Sequence, residues 1–157
     1  MLWLSTSLLL ARIRGMEIRF HFSMLFSIPI AYYLFHPTEL REYVTAFSWL
    51  LGFILCILLH ELGHAFTARL FGAEVKSIVI WLLGGFTNLT RKADKPSHTL
   101  AISAAGPLVN MLLAFLCILL YVIFYFVFLP AAKNIGSFLW MESFSNLFFS
   151  LALVNLI

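Results

Sequence analysis

The sequence predicts an all-α polytopic membrane protein with about four transmembrane helices and a small strand-like hairpin between the second and third. Three observations predict this fold class. Hydrophobic residues make up 62% of the 157 residues and charged residues only 11%, whereas a soluble domain averages about 25% charged residues. The apolar residues fall into four long stretches. A segment rich in β-branched residues, followed by a glycine pair, separates the second stretch from the third.

The N-terminal part of the chain contains the weakest candidate for a membrane span. Residues 1–10 are apolar, but no basic residue precedes them and no small-residue cleavage site follows, so we expect an interfacial or packed segment rather than a cleaved signal peptide. The first long apolar stretch, at about residues 20–35, contains Pro29 and is short for a span, which needs about 17–25 residues. We nevertheless count it as the first span.

The other three stretches predict the core transmembrane helices at about residues 44–71, 100–129 and 135–157 of a single membrane-embedded domain, residues 1–157. Gly106-Pro107, near the start of the third stretch, predicts a kink or a tilted entry into the membrane. Two cysteines, Cys56 and Cys117, lie inside apolar stretches, where each is expected to pack as a small hydrophobic side chain.

The connection between the second and third stretches has a different character. Residues 74–83 are rich in β-branched side chains, Gly84-Gly85 follows, and residues 86–90 form a possible second strand. Because strand backbone cannot face lipid, this hairpin must pack on protein or line a polar cavity. A simple surface hairpin is the alternative.

Basic residues are concentrated in two places. They precede the first stretch and follow the second, as Arg12, Arg14, Arg19, Arg69, Lys76, Arg91, Lys92 and Lys95. The positive-inside rule therefore places the N-terminus and the second-to-third connection in the cytoplasm. The formal net charge of +3 is too small to indicate a nucleic-acid partner.

The strongest motif is His60-Glu61-Leu62-Gly63-His64, at the end of the apolar run in the second stretch. Histidines at positions i and i+4 share one helix face and can hold one zinc ion, and Glu61 can act as general base on a zinc-bound water. Charged residues at the centre of a membrane helix cost about 2.5 kcal/mol or more, which favours a functional Glu61. The alternative is a pair of structural histidines facing a helix bundle.

A zinc hydrolase uses three protein ligands and one open position, and the third ligand is not evident. The residues after His64 do not continue as HxxGxxH. Glu74 lies outside the span, and Asp94 and His98 lie in the basic connection. A membrane zincin of another class, with Glu142 as third ligand, is therefore one alternative function. A non-catalytic metal-binding membrane protein is another.

Three features together resemble the site-2 protease family of intramembrane zinc metalloproteases. They are HELGH on a membrane span, Gly84-Gly85 after a strand-like segment, and Ala105-Gly106-Pro107-Leu108-Val109-Asn110 in the next span. The segment Ile18-Arg19-Phe20-His21-Phe22-Ser23 is similar to the branch that includes the sporulation sigma-factor processing protease. The resemblance begins near Met16 and covers most of the chain.

The resemblance implies a zinc metalloendopeptidase that hydrolyses a peptide bond in or near the transmembrane segment of a protein or peptide substrate. It implies one zinc ion held by His60 and His64, with Glu61 as the catalytic base, in a multi-pass protein of a prokaryotic cell membrane. Substrate contact is expected at Gly84, Gly85 and Asn88. The lipid bilayer is the other partner, and the oligomeric state is not predicted.

Two further implications concern the remaining motif residues and the metal. Gly106, Pro107 and Asn110 are expected to support the site, with helix kinking and interhelical hydrogen bonding as alternatives. The family's third ligand is the Asp of an N-x-x-P-x-x-P-L-D-G stretch, which these 157 residues do not contain. We therefore expect a chain truncated before its third ligand, with weak zinc binding and little or no cleavage.

Overall fold

The computed structural model describes residues 6–91 and 95–156, without the side chain of Arg91. The strands are β1 (Ser7–Ile13), β2 (Met16–His21), β3 (Glu74–Trp81) and β4 (Gly84–Arg91). The helices are α1 (Ser27–Phe35), α2 (Leu40–Leu70), α3 (Pro96–Ile123) and α4 (Ile135–Leu156). A 3-10 helix (Phe22–Phe26) precedes α1, and a π-helical turn (Phe124–Phe128) and a 3-10 turn (Leu129–Ala131) follow α3.

Within the described residues, three helices are long and apolar enough to cross a membrane: α2, α3 with its extension to Ala131, and α4. They correspond to the three predicted core spans, and α3 continues through Pro107 without ending. The first apolar stretch is not a fourth long helix. It becomes the end of β2, the 3-10 helix and α1, whose nine residues extend only about 14 Å against a hydrocarbon core of about 30 Å.

A four-stranded sheet in the order β1-β2-β3-β4 accompanies the helices. The predicted hairpin is confirmed as the antiparallel pair β3 and β4. Two strands were not predicted: β1 and β2 form an antiparallel pair, and β2 runs parallel to β3. All-α therefore describes the membrane-spanning helices and not the whole chain. Residues 7–13 lack the apolar-polar alternation that distinguishes a half-buried strand.

The chain divides into two compact units, and the first comprises Met1–Ile28 and Ile54–Val109. Its core lies between the sheet and the C-terminal half of α2. Ile78 and Ile80 of β3 pack with Ala65 and Ala68 of α2, and all four side chains are fully buried. The small alanine side chains let the sheet approach the helix closely, which places β4 near the HELGH motif.

The second unit comprises Pro29–Phe53 and Asn110–Ile157. Its core is a helical cluster in which Trp49 packs with Ala31, Leu147 and Leu151. Trp49 also stacks on Phe53, with ring centroids 5.3 Å apart. Most of its large apolar side chains stay exposed, as expected for helices whose outer surface faces lipid.

Candidate metal centre and active site

His60 and His64 lie one turn apart on α2 and direct the same ring atom toward each other. Their Nε2 atoms are 3.1 Å apart. Zinc binds histidine nitrogen at about 2.0–2.1 Å in tetrahedral geometry, so two ligands of one ion would lie roughly 3.3 Å apart. The spacing of the two nitrogens therefore fits a shared metal ion.

The hydrogen bond of His64 defines which nitrogen is free. Its Nδ1 lies 2.7 Å from the carbonyl oxygen of Ile102 on α3. A carbonyl can only accept, so Nδ1 carries the proton and donates, which leaves the lone pair of Nε2 for a metal. A hydrogen bond of this kind orients most metal-binding histidines. The Nδ1 atom of His60 is buried without a partner among the described residues.

Glu61 of α2 is held by a hydrogen bond from the sheet. Its side chain is 6% exposed, and the Oγ1 hydroxyl of Thr87 donates to its Oε2 at 2.6 Å. One potential ligand atom each from His60, Glu61 and His64 lies within 4.8 Å of the others. Thr87 engages one carboxylate oxygen, so Oε1 is available to a water molecule.

Gly85 and Gly106, both predicted as site residues, lie against the side chains of Glu61 and of the two histidines. Neither position has room for the methyl group of an alanine. A Cβ on Gly85 would overlap the carboxylate of Glu61. A Cβ on Gly106 would overlap the Nε2 atoms of both His60 and His64. Gly106 therefore lies directly against the two nitrogens that could hold a metal ion. The sequence predicted a site-supporting role for Gly106, with helix kinking as the alternative.

The remaining predicted residues lie at different distances from this cluster. Gly84 has a φ of 146° and open space around it, so its backbone rather than close packing requires glycine. Asn88 pairs with Ser77 of β3, and strand alternation places it on the sheet face opposite Thr87. Pro107 follows Gly106 inside α3. Asn110 lies in the second unit, with its Oδ1 buried and unpartnered among the described residues.

Gly63 lies where α2 contacts α3. A Cβ there would lie 2.9 Å from Cγ2 of Val109 and 3.0 Å from the carbonyl oxygen of Ala105. Both contacts belong to α3, so Gly63 allows α2 and α3 to approach closely beside the two histidines.

Sequence reasoning missed Thr87 and Ile102. Thr87 could have been found, because it is two residues after Gly85 and side chains two apart share one face of a strand. The contribution of Ile102 comes from its backbone carbonyl, which carries no signal in the sequence.

Of the described candidates for a third ligand, Glu74, His98 and Glu142, none joins the cluster of His60, Glu61 and His64. Glu142 is exposed on α4, Glu74 accepts a long hydrogen bond from Thr90, and the ring of His98 stacks on Phe71 with centroids 4.2 Å apart. Asp94 lies outside the described residues. The alternative that relies on Glu142 gains no support from this arrangement.

A cavity of about 330 Å³ opens beside the carboxylate of Glu61 and the ring of His64. Its lining combines α2, β4 and α3, as Glu61, His64, Ala68, Gly85, Phe86, Thr87, Leu89, Ile102 and Ser103. The lining is mostly apolar, with its polar groups close to Glu61. Such a cavity can admit water and an extended segment of peptide to the same carboxylate.

Most of the chain matches a known protein family, and parts of it match individual proteins. Residues 48–157 match Peptidase family M50. The candidate zinc metalloprotease Rip3 of Mycobacterium tuberculosis is 34% identical over 116 residues, which cover 67% of this chain and 29% of that protein. The zinc metalloprotease MJ0392 of Methanocaldococcus jannaschii is 35% identical over 68 residues, 41% of this chain and 20% of that protein.

A solved structure is similar over nearly the whole chain. The site-2 protease from Methanocaldococcus jannaschii superposes with a TM-score of 0.63 at 26% identity, covering 96% of this chain and 64% of that chain. The present chain matches less than a third of the length of the curated relatives named above.

Proposed function

Because the chain belongs to Peptidase family M50, we propose that it forms the zinc-binding part of an intramembrane metallopeptidase. The proposed reaction is hydrolysis of a peptide bond in or near a transmembrane segment of the substrate. The observation that carries the proposal is the cluster of His60, Glu61 and His64 on a helix that is long and apolar enough to span a membrane.

One zinc ion is the proposed cofactor, held by Nε2 of His60 and Nε2 of His64. Bound there, zinc would act as a Lewis acid that activates water and polarises the peptide carbonyl. The fit rests on the 3.1 Å spacing of the two nitrogens and on the lack of a side chain at Gly106, where a Cβ would overlap both nitrogens. A third protein ligand is still required.

Glu61 is the proposed general base. Its free Oε1 accepts the proton of the attacking water, and the carboxylic acid so formed then donates that proton to the leaving amine. Thr87 is a positioning residue, since its hydroxyl holds Oε2 and so limits rotation of the carboxylate. Burial of the pair strengthens this charge-assisted hydrogen bond.

The edge of β4 is the proposed substrate-binding surface. Among the described strands β4 pairs only with β3, so its other edge has unpaired backbone groups. A substrate helix must unwind before water can reach its peptide bonds, and an added strand would satisfy the freed groups. Gly85 and Thr87 would hold that strand beside Glu61, and Gly84 and Asn88 would contact it from the turn and the opposite face.

We further propose that the sheet lies toward the cytoplasmic side of a prokaryotic cell membrane. Strands β2 and β3 are hydrogen-bonded neighbours, so the N-terminal residues and the connection after α2 share one side. Both segments are basic, with Arg12 and Arg14 in the first and Lys76 and Lys95 in the second. The positive-inside rule assigns such a side to the cytoplasm.

Glu61→Gln tests the proposed chemistry. In a form of the protein that also supplies the third zinc ligand, the variant should lower cleavage of a reporter transmembrane peptide by about 100- to 10,000-fold, because amide replaces the base, while zinc content measured by mass spectrometry stays that of the unsubstituted protein. Glu142→Gln is the matched control and should change neither quantity. Cleavage that survives Glu61→Gln, or zinc loss in Glu142→Gln, would contradict the assignment.

A further inference from the structure

A second groove in the first unit involves none of the residues that line the active-site cavity. It has a volume of about 520 Å³ and is lined by Arg14, Phe66, Arg69 and Leu70, which we call the arginine groove. Arg14 is at the tip of the β1–β2 hairpin, and the other three residues form the last turns of α2. Two guanidinium groups thus share a concave surface with two apolar side chains.

The topology of the sheet brings these residues together from distant parts of the sequence. β2 runs parallel to β3 with Glu17 opposite Ser77, so the turn before β2 lies at the end of the sheet where α2 finishes and β3 begins. Arg14 and Gly15 form that turn with φ values of 48° and 81°. Met16, fully buried in the core, anchors the turn.

Arg14 and Arg69 differ from the neighbouring arginines of the hairpin in their ion pairs. Arg12 and Arg19 pair with Glu17 at 3.0 Å and 2.9 Å. Among the described residues, no ion pair within 4.0 Å involves Arg14 or Arg69. The arginine groove therefore carries two positive charges that a ligand can neutralise.

The apolar residues of the groove indicate what kind of anion it takes. Phe66 is 38% exposed and Leu70 is 83% exposed, and Arg69 lies in the last turn of a 31-residue helix. Such a helix is about 46 Å long and exceeds the hydrocarbon core of about 30 Å, so its last turn extends to the headgroup layer. A small soluble anion would make no use of the exposed apolar side chains.

We propose that the arginine groove binds the headgroup of an anionic phospholipid. The phosphodiester contacts the guanidinium groups of Arg14 and Arg69, with the planar geometry that arginine offers to phosphate. The acyl chains lie along Phe66 and Leu70. This binding would fix the β1–β2 hairpin against the membrane surface, and it requires neither the zinc ligands nor Glu61.

Native mass spectrometry of the detergent-purified full chain, titrated separately with phosphatidylglycerol and phosphatidylcholine, tests the proposal. The chain should prefer phosphatidylglycerol. Arg14→Gln and Arg69→Gln should each weaken phosphatidylglycerol binding by about fivefold, since a basic residue near an anionic surface contributes about that factor. Arg69→Lys keeps the charge and should retain most of the binding.

Arg12→Gln is the matched control, because it removes the same charge from the same hairpin but from an arginine already paired with Glu17. It should change binding less than about twofold. Equal losses in Arg12→Gln and Arg14→Gln, or equal affinity for both lipids, would overturn the proposal. Displacement of phosphatidylglycerol by inorganic phosphate alone would identify a small-anion site instead. Unchanged zinc content in each variant checks folding independently of cleavage.

Discussion

The two units of the chain use polar side chains in different ways. In the first unit, hydrogen bonds join separate elements: Thr87 of β4 donates to Glu61 of α2, and His64 of α2 donates to the backbone of α3. In the second unit, Thr45, Ser150 and Asn155 donate to carbonyls of their own helices. A hydrogen bond between two elements fixes their positions relative to each other, whereas a hydrogen bond within one helix does not.

The core of the first unit also contains more fully buried side chains than the core of the second unit. The core of the first unit contains fully buried residues from the sheet and from α2, while the cluster of the second unit is formed by residues 4–8% exposed. Arg41 is an exception in the second unit, because it donates from α2 to Ser143 at 2.6 Å and to the carbonyl oxygen of Leu139 at 3.2 Å, both in α4. Side chains that need accurate placement are thus found where a sheet supports a helix, and matched substitutions in the two units test that distinction.

The largest difference is expected between two glycines. Gly106→Ala in the first unit should reduce zinc affinity by more than about tenfold, because a methyl group would overlap both metal-binding nitrogens. In Gly52→Ala, in the second unit, the nearest atoms to the added methyl group belong to the side chain of Leu151, with Cδ1 at 2.7 Å and Cδ2 at 3.2 Å, and that side chain can rotate. Zinc competition with a chelator measures both. Equal loss of zinc affinity in the two variants would contradict the proposal that Gly106 lies beside the bound metal ion.

Two threonines provide the next comparison. In a form of the protein that supplies the third zinc ligand, Thr87→Val should lower cleavage about tenfold or more with zinc content unchanged, since hydrogen bonds to charged groups contribute about 1.5–3 kcal/mol. Thr87→Ser keeps the hydroxyl and should restore most of the activity. Thr45→Val is the control, because the hydroxyl of Thr45 bonds only the carbonyl of Arg41 in its own helix. Failure of serine to rescue would indicate packing rather than positioning.

A smaller contrast concerns stability. Ile78→Ala should lower the free energy of unfolding by about 2–4 kcal/mol through the cavity it leaves in the sheet-to-helix core. Leu151→Ala should cost less, about 1–2 kcal/mol, because lipid tails are as apolar as leucine and the transfer contribution to helix association is weak. Thermal midpoints in one detergent compare the two. A larger loss of stability in Leu151→Ala than in Ile78→Ala would contradict the expectation that the core of the first unit contributes more to stability.

The smallest expected effect is a dependence of stability on pH, which comes from an ion pair in the β1–β2 hairpin. The hydrogen bond from Arg19 is the main cause that holds the pKa of Glu17 below its ordinary value of 4.5, and Arg12 adds to it. Glu17 therefore stabilises the folded state above that ordinary value and loses this contribution as pH falls through the lowered pKa. The thermal midpoint difference between the chain and Glu17→Gln should shrink on acidification. A difference independent of pH would exclude this ion pair as its source.

Much of the helical architecture and the cluster of His60, Glu61 and His64 could be predicted from the sequence. Length and hydropathy predicted the three long helices, and the four-residue spacing of His60 and His64 predicted one shared face. The glycine pair and β-branched residues predicted β3 and β4. These features depend on neighbours within a few residues, which is why a single sequence contains them.

The contacts between distant segments could not be predicted in the same way. Residues 7–13 carry no alternating pattern, so β1 and its place in the sheet were missed, and α1 was counted as a span. Parallel pairing of β2 with β3 links residues about 60 positions apart through hydrogen bonds that any side chain permits. The same pairing brings Arg14 to Arg69.

The sequence by itself determined the membrane class, the long helices and the HELGH cluster, because hydropathy and helical periodicity are local properties of the chain. Only the tertiary structure decided that Thr87 holds Glu61, that Ile102 orients His64 and that Gly106 lies against the Nε2 atoms of both histidines. Those roles depend on backbone atoms and on distances between α2, β4 and α3, and such distances are set by how the elements pack.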